Sequence, residues 1–172
     1  MLSTSKITLR AVEPQDLEFL YKCENDMPIW AYGANKEPIS YFAIKEHINS
    51  CGRNIYESKQ LRLMIVLNEK NATVGTVDLY DFDYLNSRAG VGIYIAQEYQ
   101  NKGIGVETLQ LLTEYAFNFL NIHQLYAFVS SDNEKSAKTF IKAGFALVAT
   151  LKDWQKIGKN FSDVNIFSKI NQ

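Results

Sequence analysis

The stretch from Ile93 to Gly105 constrains this chain most, because a strand-like apolar segment ends there and a helix begins on small residues. Two glycines, Gly103 and Gly105, stand at the start of that helix. Backbone N–H groups at a helix start point in one direction, and the helix macrodipole adds partial positive charge to them. The stretch therefore predicts an anion site best suited to a phosphate or pyrophosphate. The alternative is a plain loop before a glycine-initiated helix.

Composition limits the class of protein. The chain has 172 residues, 47% of them hydrophobic, which fits one globular domain over residues 1–172. A net charge of −1 gives no electrostatic footprint for nucleic acid or an anionic membrane. No apolar run approaches the roughly 20 residues that a spanning helix needs, and the first residues lack the apolar stretch of a signal peptide. Two cysteines, Cys23 and Cys51, cannot build a disulfide framework, so we expect a reduced, cytoplasmic protein.

The order of periodic segments predicts a mixed α/β fold. Strand patterns fall at residues 6–12, 61–67, 73–81, 90–95, 124–130, 145–151 and 165–170. Helix patterns begin at Pro14, run from an N-cap at Ser40 to about Cys51, and fall at residues 106–120 and 134–143, the last ended by Gly144. The order of strand, loop and helix, strand and helix in the second half predicts one parallel pairing inside an otherwise antiparallel sheet.

The glycine loop departs from two well-known phosphate-binding motifs. A Walker loop needs Gly-x-x-x-x-Gly-Lys-Ser/Thr, which this stretch lacks. A dinucleotide fingerprint needs a third glycine, and neither Gly90-Val91-Gly92 nor Gly103-Ile104-Gly105 supplies one at the required spacing.

The loop instead matches a family signature. Gln100-x-x-Gly103-x-Gly105 resembles the Gln/Arg-x-x-Gly-x-Gly/Ala signature of the GNAT acyl-CoA N-acyltransferases. Other stretches resemble the family in order and spacing: Arg10–Leu17, Val74–Leu79, Asn133–Ala137 and Lys142–Phe145. Asp83-Tyr84, Glu98-Tyr99-Gln100 and His123–Tyr126 are similar to the branch that holds ribosomal-protein N-terminal acetyltransferases and bacterial spermidine acetyltransferases. The resemblance implies the single-domain GNAT fold, a mixed, mostly antiparallel twisted sheet with helices on both faces.

The resemblance also implies the reaction. An acetyl group would pass from acetyl-CoA, used as co-substrate without a metal, to a primary amine of a polyamine such as spermidine or of a protein or peptide N-terminus. The implied CoA-binding residues are Ile93, Tyr94, Ile95, Gln100, Asn101, Lys102, Gly103, Ile104, Gly105 and Asn133. The branch implies a homodimer or larger homo-oligomer. A non-catalytic acyl-CoA-binding module of the same fold is the alternative function.

Two residues are the catalytic candidates. An alkylamine holds its proton until about pH 10, so the reaction needs a proton acceptor. Asp78 aligns with an acidic position of the spermidine enzymes, and inside an apolar strand it needs a cleft or a hydrogen-bonded partner. In many relatives a tyrosine protonates the leaving thiolate, but here that position is Phe140, which we interpret as a core residue. Ser136 is the nearest replacement, unless it is only a residue of the first helical turn. Gly90 stands where the spermidine enzymes have a glutamate, a difference that bears on polyamine specificity.

The acceptor side is predicted from the same resemblance. Residues expected to face the amine are Glu24, Trp30, Tyr32, Asp78 and Tyr80. The alternative interpretation of Glu24 is a solvated loop residue, and that of the aromatic residues is packing in the core. Gly90 and Gly92 predict a bulge in their strand, which would splay it from the next strand and open a slot for the pantetheine arm.

Overall fold

A computed structural model describes residues 2–26, 30, 37–50, 52 and 54–172 of the chain. The strands are β1 Leu2–Ser3, β2 Ile7–Ala11, β3 Leu61–Leu67, β4 Ala72–Asp83, β5 Arg88–Ile95, β6 Gln124–Ser130, β7 Ala146–Ile157 and β8 Asn160–Ile170. The helices are α1 Leu17–Glu24, α2 Tyr41–Ser50, α3 Ile55–Ser58, α4 Ile104–Asn118 and α5 Glu134–Lys142. Short 3-10 turns, Pro14–Asp16 and Gln97–Tyr99, precede α1 and α4.

One sheet contains all of these strands, in the order β1-β2-β3-β4-β5-β6-β8-β7. Every neighbouring pair is antiparallel except β5 and β6, which are parallel. The predicted mixed sheet with one parallel pairing is therefore confirmed. Helix α4 makes the crossover between the two parallel strands, as a parallel pair requires.

Alternation along the strands divides the apolar residues between two faces. Leu63 and Ile65 of β3 belong to the main core, together with residues of α4 and α5. Met64, between them, points the other way and packs with Leu20 of α1 and Ile44 of α2 in a smaller cluster. Successive strand residues face opposite sides of a sheet, so the two clusters lie on opposite faces. Helices therefore cover both faces, as predicted.

The main differences from prediction lie in long-range features. Strands β7 and β8 form a longer hairpin than expected, closed at Gly158, which adopts a φ of 61°. The prediction of a bulge in β5, the strand that holds Gly90 and Gly92, is wrong. The register shift lies across from it in β4, between Tyr80 and Asp83, where Asp81 has a φ of 49°. Aspartate tolerates this left-handed conformation better than most residues, and Gly90 is needed for a different reason, described below.

A buried ion pair ties the start of the chain to the sheet. Asp16 is 2% exposed and accepts hydrogen bonds from both terminal nitrogens of Arg10, at 2.6 and 2.7 Å, and from the backbone N–H of Glu13 at 2.9 Å. Burial raises the pKa of Asp16, but the hydrogen bonds from Arg10 and Glu13 lower it more, so the pKa lies below its ordinary value of 3.8. Because the folded pKa is the lower one, the ionised carboxylate stabilises the fold above the unfolded pKa.

We expect Asp16→Asn to lower the free energy of unfolding by about 2 to 4 kcal/mol at neutral pH, since Arg10 loses a charged partner. The loss should shrink as the pH falls below about 4, because wild-type Asp16 then takes up a proton as it unfolds. Urea unfolding of both proteins at neutral pH and at about pH 3 measures this difference. Glu134→Gln, in an exposed pair with Lys138, is the control and should change little. A deficit that does not depend on pH would contradict the assignment.

Candidate active site

The sheet splits between its two parallel strands. β5 pairs with β4 along its length, from Arg88 to Ile95. Its pairing with β6 is limited to three positions and ends where Gly90 meets Tyr126. Beyond Gly90, β5 therefore leaves β6 and presents an unpaired edge toward Ile95. The predicted splay is confirmed, and we call this opening the β5–β6 split.

The glycine loop lies at the open end of the split. The Gln100 side-chain amide donates to the Ile95 carbonyl at 2.9 Å, which ties the loop to the end of β5. Asn101 and Gly103 both have positive φ, 59° and 77°, so the backbone reverses direction before α4. Gly103 is the N-cap of this 15-residue helix. Exposed residues 101–103 and the first turn of α4 therefore place free backbone N–H groups beside the split.

The two loop glycines serve different purposes. A Cβ on Gly103 would meet only the Lys6 ammonium, at 3.9 Å, so its positive φ is what requires glycine. A Cβ on Gly105 would stand 3.1 Å from the Thr139 methyl, so this glycine lets α4 and α5 approach closely. Lys6 donates to the Lys102 carbonyl at 2.6 Å and brings a positive charge to the loop. Sequence reasoning missed Lys6, because 96 residues separate it from Lys102.

The start of α5 lies after the far end of β6. The Asn133 side chain accepts from the Ser136 backbone N–H at 3.1 Å and so caps the helix. Ser136 is half-buried. The Ser130 hydroxyl, at the end of β6, is buried and has no hydrogen-bond partner among the described residues. Phe140 is 2% exposed and packs against two other phenylalanines, which confirms it as a core residue.

A buried guanidinium holds the acidic residues of the acceptor side. Arg62 donates to Asp78 at 2.7 Å and to Glu24 at 2.6 Å. Burial lowers the pKa of Arg62, but the two carboxylates together raise it by more than burial lowers it. The pKa therefore lies above its ordinary value, and the guanidinium stays charged. Asp78 thus has the partner that the sequence required, and Glu24 is ion-paired at the end of α1 rather than solvated. The Trp30 indole N–H donates to the Glu24 carbonyl at 2.8 Å.

Tyr80 lies on the same face of the sheet as Asp78. A Cβ on Gly90 would stand 2.3 Å from the Tyr80 ring, so the ring rests directly on this glycine. Tyr126 of β6 meets the Tyr80 ring edge-to-face, with 6.2 Å between the two ring centroids. Burial raises the pKa of the Tyr80 hydroxyl to about 12. Tyr32, also predicted on this side, lies outside the described residues.

Two clefts flank Arg62 on the side of α1 and α2. One has a volume of about 260 Å³ and the other about 310 Å³, and both are lined by His47. Burial lowers the pKa of His47 and favours the neutral imidazole. Neither cleft is lined by the glycine loop, so the acidic and anion-binding features lie in different places. Cys23 is buried in α1, where burial raises the pKa of its thiol to about 12, and Cys51 lies outside the described residues.

Two features are absent from the described ranges. They contain no group of three histidine, cysteine, aspartate or glutamate side chains that could hold a metal ion. Among the helices described above, none has the length and hydropathy to cross a membrane.

Solved structures share this fold. A crystal structure of spermidine N-acetyltransferase from Vibrio cholerae in complex with CoA and spermine superposes with a TM-score of 0.88 and 26% identity. The match covers 97% of this chain and 96% of that one. In sequence, the spermidine N(1)-acetyltransferase of Vibrio cholerae is 29% identical over 93% of this chain and 90% of its own length. A putative ribosomal N-acetyltransferase of Bacillus subtilis is 26% identical over 96% of this chain and 92% of its own length.

The family model described as an acetyltransferase (GNAT) domain matches residues 6–146. The fold, the split and the glycine loop define an acyl-CoA N-acyltransferase, and the chain belongs to the GNAT family. It is an acetyl-CoA-dependent N-acetyltransferase that acts on an amine, as the resemblance implied.

Proposed function

We propose that acetyl transfer takes place in the β5–β6 split. The CoA pyrophosphate lies on the backbone amides of Gln100–Gly105, and the pantetheine arm pairs with Ile93–Ile95. The observation that carries this proposal is that β5–β6 pairing ends at Gly90 while β5 continues to Ile95. An extended ligand can add to such an unpaired edge through main-chain hydrogen bonds. The charge of Lys6 beside the loop supports an anionic group there.

The catalytic groups act from both sides of the split. Asp78 takes up or holds the amine proton, a role supported by its position: one carboxylate oxygen stands 4.0 Å from where a Cβ on Gly92 would lie. Ser136 supplies the proton for the leaving thiolate, and Asn133 lies beside the pantetheine arm. The Ser130 hydroxyl, which has no hydrogen-bond partner among the described residues, is an additional donor near the thioester.

The acceptor is a primary amine that binds among Glu24, Trp30, Tyr32, Asp78 and Tyr80. The names of the Vibrio cholerae and Escherichia coli relatives support a polyamine such as spermidine. The name of the Bacillus subtilis relative supports a protein or peptide N-terminus as the second class. The carboxylates of Glu24 and Asp78 exceed the single charge of Arg62, which favours a cation at this site.

The whole chain, residues 1–172, acts as one cytoplasmic domain without nucleic-acid partners, and it assembles into a homodimer or larger homo-oligomer. A structure of the Vibrio cholerae enzyme is dodecameric. Assembly is supported here by apolar side chains that the β7–β8 hairpin exposes: Leu147, Val148, Trp154 and Phe161. Large apolar side chains left exposed along one hairpin favour a contact surface.

Release of the CoA thiol from acetyl-CoA tests the function. We expect sustained release with spermidine or with the α-amine of a short peptide, against a blank without amine. Asp78→Asn should lower kcat about a hundredfold, the scale of a lost proton acceptor. Asp153→Asn changes an exposed carboxylate of β7 that is not among the proposed site residues; it is the matched control and should retain activity.

Thermal unfolding separates the outcomes, since a ligand that binds only the folded state stabilises it. Stabilisation by acetyl-CoA without turnover of any amine would support the non-catalytic acyl-CoA-binding module instead. No stabilisation at millimolar acetyl-CoA would contradict both functions.

A further inference from the structure

Tyr80 covers the closed end of the β5–β6 split. Its side chain projects from β4 on the side of the sheet that α1 and α2 cover. The β5 residues beneath the Tyr80 ring are both glycines, Gly90 and Gly92. A Cβ on Gly90 would stand 2.3 to 2.7 Å from three ring carbons of Tyr80, and one on Gly92 would stand 3.8 Å from the ring. The ring therefore lies directly on the backbone of β5, where its pairing with β6 ends.

Contacts with β6 fix the other end of this ring. Tyr126, opposite Gly90 in the register, meets it edge-to-face at an interplanar angle of 84°. The backbone N–H of Phe128 lies close enough to the Tyr80 hydroxyl to oppose the rise in its pKa. The charged neighbours that act on this hydroxyl are Asp78 and Asp81, and both raise its pKa. The ring thus spans β4, β5 and β6, and its phenol stays neutral at physiological pH.

We propose that Tyr80, seated on Gly90, limits the transferred acyl group to acetyl. This inference rests on the proposed function, which puts the thioester in the split. The acyl chain then points toward the closed end of the split, which the Tyr80 ring covers. The ring cannot withdraw toward β5, because the glycine backbone already touches it, nor toward β6, because Tyr126 is there. Each methylene beyond acetyl meets this ring, and one methylene that does not fit lowers kcat/KM by about 10- to 200-fold.

A series of acyl donors tests the proposal. Thiol release is measured with acetyl-, propionyl- and butyryl-CoA and the amine that gives the fastest turnover. We expect wild type and Tyr80→Phe to prefer acetyl over butyryl by about 100-fold or more in kcat/KM. Tyr80→Val, which suits a strand but shortens the side chain, should reduce that ratio below about tenfold. Tyr126→Phe is the control and should keep the wild-type ratio.

The ratio does not depend on how much of each variant is active, so a general loss of stability does not move it. Equal use of acetyl and butyryl by wild type, or an unchanged ratio in Tyr80→Val, would overturn the proposal. If no donor supports thiol release with any amine, the proposed function itself fails, and this inference fails with it.

Stability gives a second test that needs no activity. Gly90→Ala should lower the urea midpoint of wild type, since the new Cβ strikes the ring, but should have little effect in the Tyr80→Val background. Equal effects in the two backgrounds would show that the ring does not rest on Gly90 and would overturn the proposal.

Discussion

Gly103→Ala is expected to raise the KM for acetyl-CoA at least tenfold and to remove most of the thermal stabilisation that CoA gives. Gly103 has a φ of 77°, a left-handed conformation that costs an alanine roughly 1 to 2 kcal/mol. Relief of that strain rotates the peptides on either side of residue 103. Those peptides carry N–H groups proposed to hold the pyrophosphate, so a small rotation removes several hydrogen bonds together.

Gly158→Ala is the matched control for this variant. Gly158 also has a positive φ, 61°, and a Cβ there would meet nothing within 4 Å. It closes the β7–β8 hairpin and belongs to neither the glycine loop nor β5. Both variants should lose similar stability, as urea unfolding measures, but only Gly103→Ala should lose affinity for acetyl-CoA. Equal KM values in the two variants would contradict an anion site at the loop.

Arg62→Met should give the largest loss of stability, about 3 to 5 kcal/mol in the free energy of unfolding at neutral pH. The methionine removes the partner of two largely buried carboxylates, Asp78 and Glu24, whose side chains are 14% and 24% exposed. Loss of one member of a buried ion cluster leaves uncompensated charge, which costs more than the pair contributed. Chemical unfolding with urea measures the change.

Two further variants test the cause of that loss. Asp78→Asn in the Arg62→Met background should recover part of the stability, because one unpaired charge disappears. Lys138→Met removes an exposed partner of Glu134, at 3.0 Å, and should cost less than about 0.5 kcal/mol. A loss for Arg62→Met as small as for Lys138→Met would contradict a stabilising cluster.

Local sequence patterns predict most of the fold. The helix start at Gly103–Gly105 and the cap at Ser40 each depend on a few neighbouring residues, and the structure has both. The parallel pairing followed from the order of elements, since a helix between two strands is what a parallel connection needs. Short elements such as α3, with four residues, are below the length at which periodicity can be read.

The contacts that define the site are long-range. Arg62 meets Glu24 across 38 residues of sequence, and Lys6 meets Lys102 across 96. Tyr80 and Gly90 touch because the two strands are in register, and neither residue type alone indicates that contact. Sequence alone predicts a bulge at Gly90 instead of this contact, since a glycine in a strand leaves open whether it serves backbone conformation or close approach.

Hydrogen exchange of the backbone amides, with and without CoA, tests the central claim most directly. If CoA binds along the open edge of β5 and on the glycine loop, exchange should slow at residues 93–95 and 101–105. Protection confined to the clefts beside Arg62, around residues 39–48, with the loop unchanged, would contradict it.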